Sequence, residues 1–275
     1  MKFTVLGSRG FIGRHLVRHL TCQGHEICQP ERNASWRSDV NYGHVIFCIG
    51  LTADFRSKPF ETVEAHVGVL HDFLLRARFE SLLYLSSTRV YQRSSNTDEE
   101  TVLGAFPAIR GDLFNLSKLL GESLCLASGW PNVRVARVSN VVDGSFQTPT
   151  FLSQVVGEAL AHGAVEFQSA PCSAKDYVCV EDVVDLLASI ATQGRHAIYN
   201  VASGVNLTNA DIAAILSEEL GCRTLFTPGT PTHSFPPIHI DRIREDFGFV
   251  PRNVESTLRQ ALKAVTRTPK RQTPD

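Results

Sequence analysis

The stretch K-F-T-V-L-G-S-R-G-F-I-G, residues 2–13, decides the fold. Its opening is a short apolar run of strand length, Gly7, Gly10 and Gly13 follow at three-residue intervals, and Ile12, Leu16, Val17 and Leu20 continue with helical period. Strand, glycine turn and helix in that order form the first unit of a nucleotide-binding α/β sheet. Glycines let the chain turn tightly and bring a pyrophosphate up to free N–H groups at the positive end of a helix. The spacing predicts a dinucleotide cradle at Gly7, Arg9, Gly10, Phe11, Ile12 and Gly13. Glu31 stands at the end of the next strand, where a carboxylate accepts bonds from adenosine ribose hydroxyls and favours NAD. Arg9 and Arg32 flank the same spot, where a guanidinium pair would hold the 2′-phosphate of NADP. The sequence leaves NAD and NADP both open.

Further strands are expected at HEICQ (25–29), HVIFCIG (44–50), SLLYLSS (81–87) and VRVARVS (133–139), with a helix carried by Val63, Val67, Leu70 and Leu74 and another over 112–128. Pro30 to Gly43 is too short and polar for a full helix-strand unit, so a trimmed connection is expected there. Beyond residue 145 come FLSQVVGEALAHG (helix), VEFQSA (strand), DVVDLLASIAT (helix), HAIYNVAS (strand) and a helix opened by Thr208 with Asp211 at capping-box spacing. This pattern predicts an α/β protein: a Rossmann-type doubly wound parallel sheet with a smaller C-terminal α/β substrate-binding lobe. The expected division is 1–145 for cofactor binding, 146–267 mainly for a substrate lobe interleaved with the sheet, and 268–275 as a disordered tail.

The chain has 275 residues with 27 basic and 28 acidic side chains, a balance that points to neither a nucleic-acid nor a membrane partner. No apolar run reaches the ~18 residues a membrane span needs. Seven cysteines show no C-x-x-C pair and no histidine at zinc spacing, so no metal is expected and buried free thiols in a reducing, cytoplasmic setting are.

Several motifs in order carry a resemblance. G-x-x-G-x-x-G, FCIGLT (47–52), SSTRVY (86–91), KDYVCVEDVV (175–184) and YNVASGVNLT (199–208) are together similar to the extended short-chain dehydrogenase/reductases, specifically the NAD-dependent epimerase/dehydratase family that includes UDP-galactose epimerase. The resemblance covers nearly the whole chain and implies a nucleotide-sugar substrate, a homodimer formed through the helices at 61–78 and 112–128, and an oxidoreductase or isomerase chemistry. It places Gly50 and Leu51 beneath the cofactor and Ser87 against the reacting oxygen of the sugar. Lys118 becomes the lysine of Tyr-x-x-x-Lys, binding the nicotinamide ribose. Thr88, Asn140 and Lys175 fall on the substrate side, Asn140 and Lys175 toward its phosphates.

Phe114 departs from that pattern. It occupies the position four before Lys118, on the same helical face, where the family has its catalytic tyrosine. A phenyl ring neither donates nor accepts a proton. Two accounts follow. Either the chain is an epimerase, dehydratase or reductase whose proton is handled by water, substrate or a neighbouring hydroxyl, or it is a catalytically silent NAD(P)-binding regulatory or partner protein. His233 and His239, in the proline-dense loop TPGTPTHSFPPIH (227–239), are further candidates for substrate contact.

Overall fold

The computed structural model describes residues 1–32, 34–52, 54–148 and 150–267, so the tail expected at 268–275 lies outside the described residues. Six strands form the main sheet in the order β2-β1-β3-β4-β5-β9, and every neighbouring pair is parallel. They are β1 (Lys2–Leu6), β2 (Glu26–Cys28), β3 (His44–Phe47), β4 (Ser81–Ser87), β5 (Val133–Val138) and β9 (Ile198–Val201). The α/β fold with a parallel sheet is as the glycine stretch requires. Between β2 and β3 there is no helix among the described residues, as the 14-residue spacing of Pro30 to Gly43 predicts.

Period-two alternation divides these strands between two cores. Phe3, Val5, Ile46, Leu83 and Leu85 face α1 (Phe11–Cys22) and α6 (Val180–Gln193), where Leu16, Leu20, Val183 and Leu187 are buried. Leu6, Val45, Phe47, Leu82 and Tyr84 face the other way, onto Leu70 and Phe73 of α3 (Val69–Arg76) and Cys125 of α4 (Leu113–Ala127).

The helix expected on Val63, Val67, Leu70 and Leu74 requires a correction. It begins as α2 (Pro59–Val63), opened by a proline at its first position, and passes through a π-helical turn at Glu64–Gly68 before α3. The wider turn advances the register, so that Thr62 and His66 point inward and Val63 is exposed.

The later residues build a second core. A small sheet of β6 (Asn140–Val142), β8 (Ala174–Cys179) and β10 (Asn206–Thr208) and a pair made by β7 (Ala164–Phe167) and β11 (Arg223–Phe226) are covered by α5 (Phe151–His162), α7 (Asn209–Leu220) and α9 (Val254–Arg267). α7 starts on the expected capping box: Asp211 N–H donates to Thr208 Oγ1 at 3.0 Å, and the Asp211 carboxylate accepts the Thr208 N–H at 2.9 Å. A short α8 (Asp241–Phe247) returns to pack on β9.

Candidate active site

The glycine loop has the backbone that its sequence calls for. Gly7 sits at φ +84°, where a side chain is strained, and a Cβ there would lie 2.9 Å from the Ile49 nitrogen. A Cβ on Gly13 would collide with the Gly7 carbonyl, so only glycine allows α1 to start this close to β1. Gly10 N–H closes the turn onto Gly7 O at 2.9 Å. Gly10 offers no side-chain cap and the first turn of α1 holds no acid, which leaves its N-terminal N–H groups for an external anion. Gly10, Phe11 and Ile12 line one end of a cavity of about 610 Å³. Gly7 and Gly13 form the turn behind that wall. Arg9 and Glu31 are not among the lining residues; they are exposed and paired with each other at 2.6 Å, and Arg32 is exposed beside them.

The same cavity continues over the C-terminal ends of β3 and β4, where Gly50, Ser87, Thr88, Phe114 and Lys118 line it. Lys118 rises from α4 and is buried, its Nζ donating to Leu85 O at 2.8 Å. Burial depresses its pKa to about 7, with Glu122 one turn on opposing the shift. Ser87 Oγ accepts the Arg89 N–H at 3.2 Å and retains its own proton for a further partner. Thr88 Oγ1 has no hydrogen bond among the described residues. Leu51 lies outside the lining, but its N–H donates to His66 Nε2 at 3.1 Å.

That acceptor role fixes the His66 tautomer: Nδ1 carries the proton and donates to Ser117 Oγ at 2.8 Å, and Ser117 donates in turn to Phe114 O at 2.9 Å. The His66 ring also meets the Phe114 ring edge-on, with centroids 5.3 Å apart. Thus the π turn holds the loop under the cavity and the helix bearing Phe114 through one neutral imidazole. Burial first, and the Lys118 charge second, lower the His66 pKa to about 3. The unfolded chain takes up this proton near the ordinary histidine value, about 6.5, and the folded chain only near 3, so stability falls as pH drops through that window. The expected loss reaches about 1.4 kcal/mol per pH unit in the steepest part of the range, read as urea midpoints between pH 7 and pH 4. In His66→Gln this slope flattens; an unchanged slope would assign the acid sensitivity to other groups.

At the far end the lining passes to the second lobe: Asn140, Lys175, Asp176, Tyr177 and His233. Asn140 Nδ2 donates to Asp176 O at 2.8 Å, which ties β6 to β8. Lys175 lies over the Phe151 ring at 5.0 Å, and burial lowers its pKa, with Arg89 adding to the effect. His233 lines the cavity whereas His239 does not. The loop carrying both is pinned by Thr97 Oγ1 to Pro237 O at 2.7 Å and by Asn206 Nδ2 to Phe235 O at 2.7 Å.

Other groups near the site were not foreseen. Tyr177 and Arg89 line the cavity without being expected to, although KDYVCV and SSTRVY contain them. Behind Lys118, Glu122 and Arg137 form a buried ion pair at 2.7 Å; Ser86 donates its hydroxyl to the same carboxylate, and Arg137 reaches the Tyr91 hydroxyl at 2.7 Å. Tyr91 also donates to Asn200 Oδ1 at 2.9 Å, and burial raises its pKa to about 12. It lies in the core outside the lining, so it does not replace the missing phenol. No cluster of metal-ligating side chains occurs among the described residues.

A family model for the NAD dependent epimerase/dehydratase family matches residues 43–202, more than half the chain. The chain belongs to this family. No curated protein matches the sequence. Among solved structures, MoeE5 in complex with UDP-glucuronic acid and NAD superposes with a TM-score of 0.78 at 18% identity, over 97% of this chain and 99% of that one. TunA, described as an NAD-dependent NDP-hexosamine 5,6-dehydratase of tunicamycin biosynthesis, gives 0.81 at 18% identity over 98% of each chain. RMD from Pseudomonas aeruginosa complexed with NADPH gives 0.76 at 20% identity, over 96% of this chain and 99% of that one. At these identities the likeness establishes the common fold.

Proposed function

We propose that this protein binds NAD or NADP in the cavity and acts on a nucleotide-activated sugar as an epimerase, dehydratase or reductase. The observation that carries the reading is the continuity of one cavity from the glycine loop, past Ser87 and Lys118, to Asn140 and Lys175. The loop fits a dinucleotide because its glycines leave room where any side chain would strike backbone, and because the α1 N–H groups are free. Gly10, Phe11 and Ile12 would hold the diphosphate, Gly50 and Lys118 the nicotinamide ribose. When bound, the cofactor supplies the removal and return of a hydride at a carbinol carbon.

The chain's own residues do the rest. Ser87 and Thr88 present hydroxyl protons to the reacting oxygen beside Phe114. Lys118, with its pKa near 7, is the ionisable group next to them that can hold or release a proton close to neutrality. Asn140 and Lys175 would orient the substrate diphosphate from the second lobe. We take residues 1–145 as the cofactor-binding part and 146–267 as mainly the substrate lobe. The exposed Phe60, Val63 and Leu75 on the one side and Leu120 and Leu126 of α4 on the other are apolar faces suited to a homodimer. None of the seven cysteines is in a disulfide, in keeping with a cytoplasmic setting, and no described helix is long and apolar enough to cross a membrane.

Calorimetry tests the reading: one pyridine nucleotide binds, and a panel of nucleotide sugars then shows cofactor reduction or interconversion. Phe114 favours a second reading, a silent NAD(P)-binding partner protein, which binding of cofactor without turnover of any sugar would establish. Absence of heat with both NAD and NADP overturns both.

A further inference from the structure

The cavity is lined by two cations, Arg56 and Arg89, to which the reading above gives no role. Arg89 places its guanidinium carbon 4.9 Å from the Phe55 ring centre and 5.4 Å from that of Phe114. Arg56 stands 4.6 Å over Phe55, and the two rings are 5.5 Å apart, both buried. The phenyl rings thus make a floor and the two guanidinium groups lie on it, lining the cavity next to Ser87 and Thr88.

Among the described residues no carboxylate is hydrogen-bonded or ion-paired to either arginine, although the Asp112 charge acts on Arg89. Among the described residues Arg56 makes no hydrogen bond or ion pair, and the Arg89 side chain makes one long bond, 3.4 Å to Gly111 O. Asp112 is the nearest acid to Arg89, but Arg93 holds both of its oxygens at 3.0 and 3.1 Å and the Phe106 N–H takes a further bond at 2.8 Å. Asp176 is the acid among the lining residues, and its oxygens are taken by Ser203 N–H, Ser203 Oγ and Gly204 N–H. Burial and the neighbouring Arg56 charge lower the Arg89 pKa, with Asp112 opposing them more weakly, and the guanidinium stays charged. With Arg56 exposed, Arg89 half-buried and the Asp112 oxygens already bonded to Arg93 and Phe106, the pair has room for an incoming anion that would offset their mutual repulsion.

We propose that Arg56 and Arg89 form a carboxylate clamp on the Phe55–Phe114 floor, and that the sugar turned over here is a nucleotide-activated uronic acid. The inference rests on the nucleotide-sugar reading above. A ring carboxylate is planar and matches the guanidinium fork, and on a hexose it lies within a few bonds of the carbinol presented to Ser87 and Thr88. The phosphates of the same substrate fall to Asn140 and Lys175 on the opposite lobe.

The test compares matched ligands on the cofactor-saturated full chain: UDP-glucuronic acid against UDP-glucose, and the same two sugars on GDP, by calorimetry. The acid is expected to bind about 10- to 100-fold more tightly than the neutral sugar, the range that charge-assisted hydrogen bonds supply. In Arg89→Gln the ratio falls to about one, and Arg56→Gln lowers it in the same direction. Retained thermal stabilisation by cofactor shows that each variant is folded. Tight binding of both sugars with no preference, or a preference that survives both substitutions, overturns the clamp and leaves the nucleotide-sugar reading standing. Failure of all four ligands to bind, with cofactor still bound, overturns that reading and the clamp together.

Discussion

Phe114→Tyr is expected to raise turnover of a nucleotide-sugar substrate by about 10²–10⁴, the usual worth of a positioned acid/base group. The ring already lines the cavity with Ser87, Thr88 and Lys118, and Lys118 follows it by one helical turn on the same face of α4. A hydroxyl added to the ring would join the Arg89 guanidinium, whose carbon is 5.4 Å from the ring centre, in the cavity that Lys118 also lines. Both charges favour a phenolate and bring the new group's pKa down toward neutrality. The measurement is kcat with cofactor and sugar in excess, with Phe114→Leu as a control for the loss of the aromatic floor. Unaltered turnover by a cofactor-loaded tyrosine variant would mean that the sugar oxygen does not sit at Ser87, and the catalytic assignment would have to move.

Glu122→Leu should destabilise the fold by about 3–5 kcal/mol, because it strands a buried guanidinium. The Arg137 and Glu122 side chains are each only 4% exposed, so water cannot take over the bonds lost. Arg137 would keep Tyr91 and the Glu99 carbonyl, 3.2 Å away, as partners, and neither carries the charge that balances it. Replacing both members, in Glu122→Leu with Arg137→Met, removes the uncompensated charge and should recover most of the loss. Urea midpoints of the single and double variants decide the matter. A double variant no better than the single one would show that the bonds to Tyr91 and Ser86, rather than the charge balance, hold this part of the sheet to α4.

Much of this architecture is legible in the sequence, since its signals are local. A strand, three glycines and an amphipathic helix predict the nucleotide loop; apolar runs of strand length in SLLYLSS and VRVARVS predict the central strands; Thr208 and Asp211 predict the start of α7. Phe114 is visible as a substitution because Lys118 fixes its place. What escapes is what the third dimension brings together. His66 is hidden because a π turn shifts the inward face by one residue, and helical periodicity cannot register that shift. Arg137 sits inside an apolar strand pattern, with its partner Glu122 on another element. Arg56 and Arg89 read as ordinary loop arginines until Phe55 and Phe114 are seen beneath them and their lack of acidic partners becomes evident. The short strands β10 and β11 pair with segments that are distant in sequence, and no local pattern announces them.

The chain crosses to the second core after β5, yet α6 and β9 return to the first. β9 completes the main sheet against β5, in register Val135 with Ile198 to Val138 with Val201, and α6 shields the face shared with α1. Cleaving the polypeptide near residue 145 would therefore yield an N-terminal fragment with a naked sheet margin and an uncovered oily flank. The half that carries the glycine loop is not a transplantable module: it becomes whole only after the ribosome has delivered the greasy helix and strand that come later.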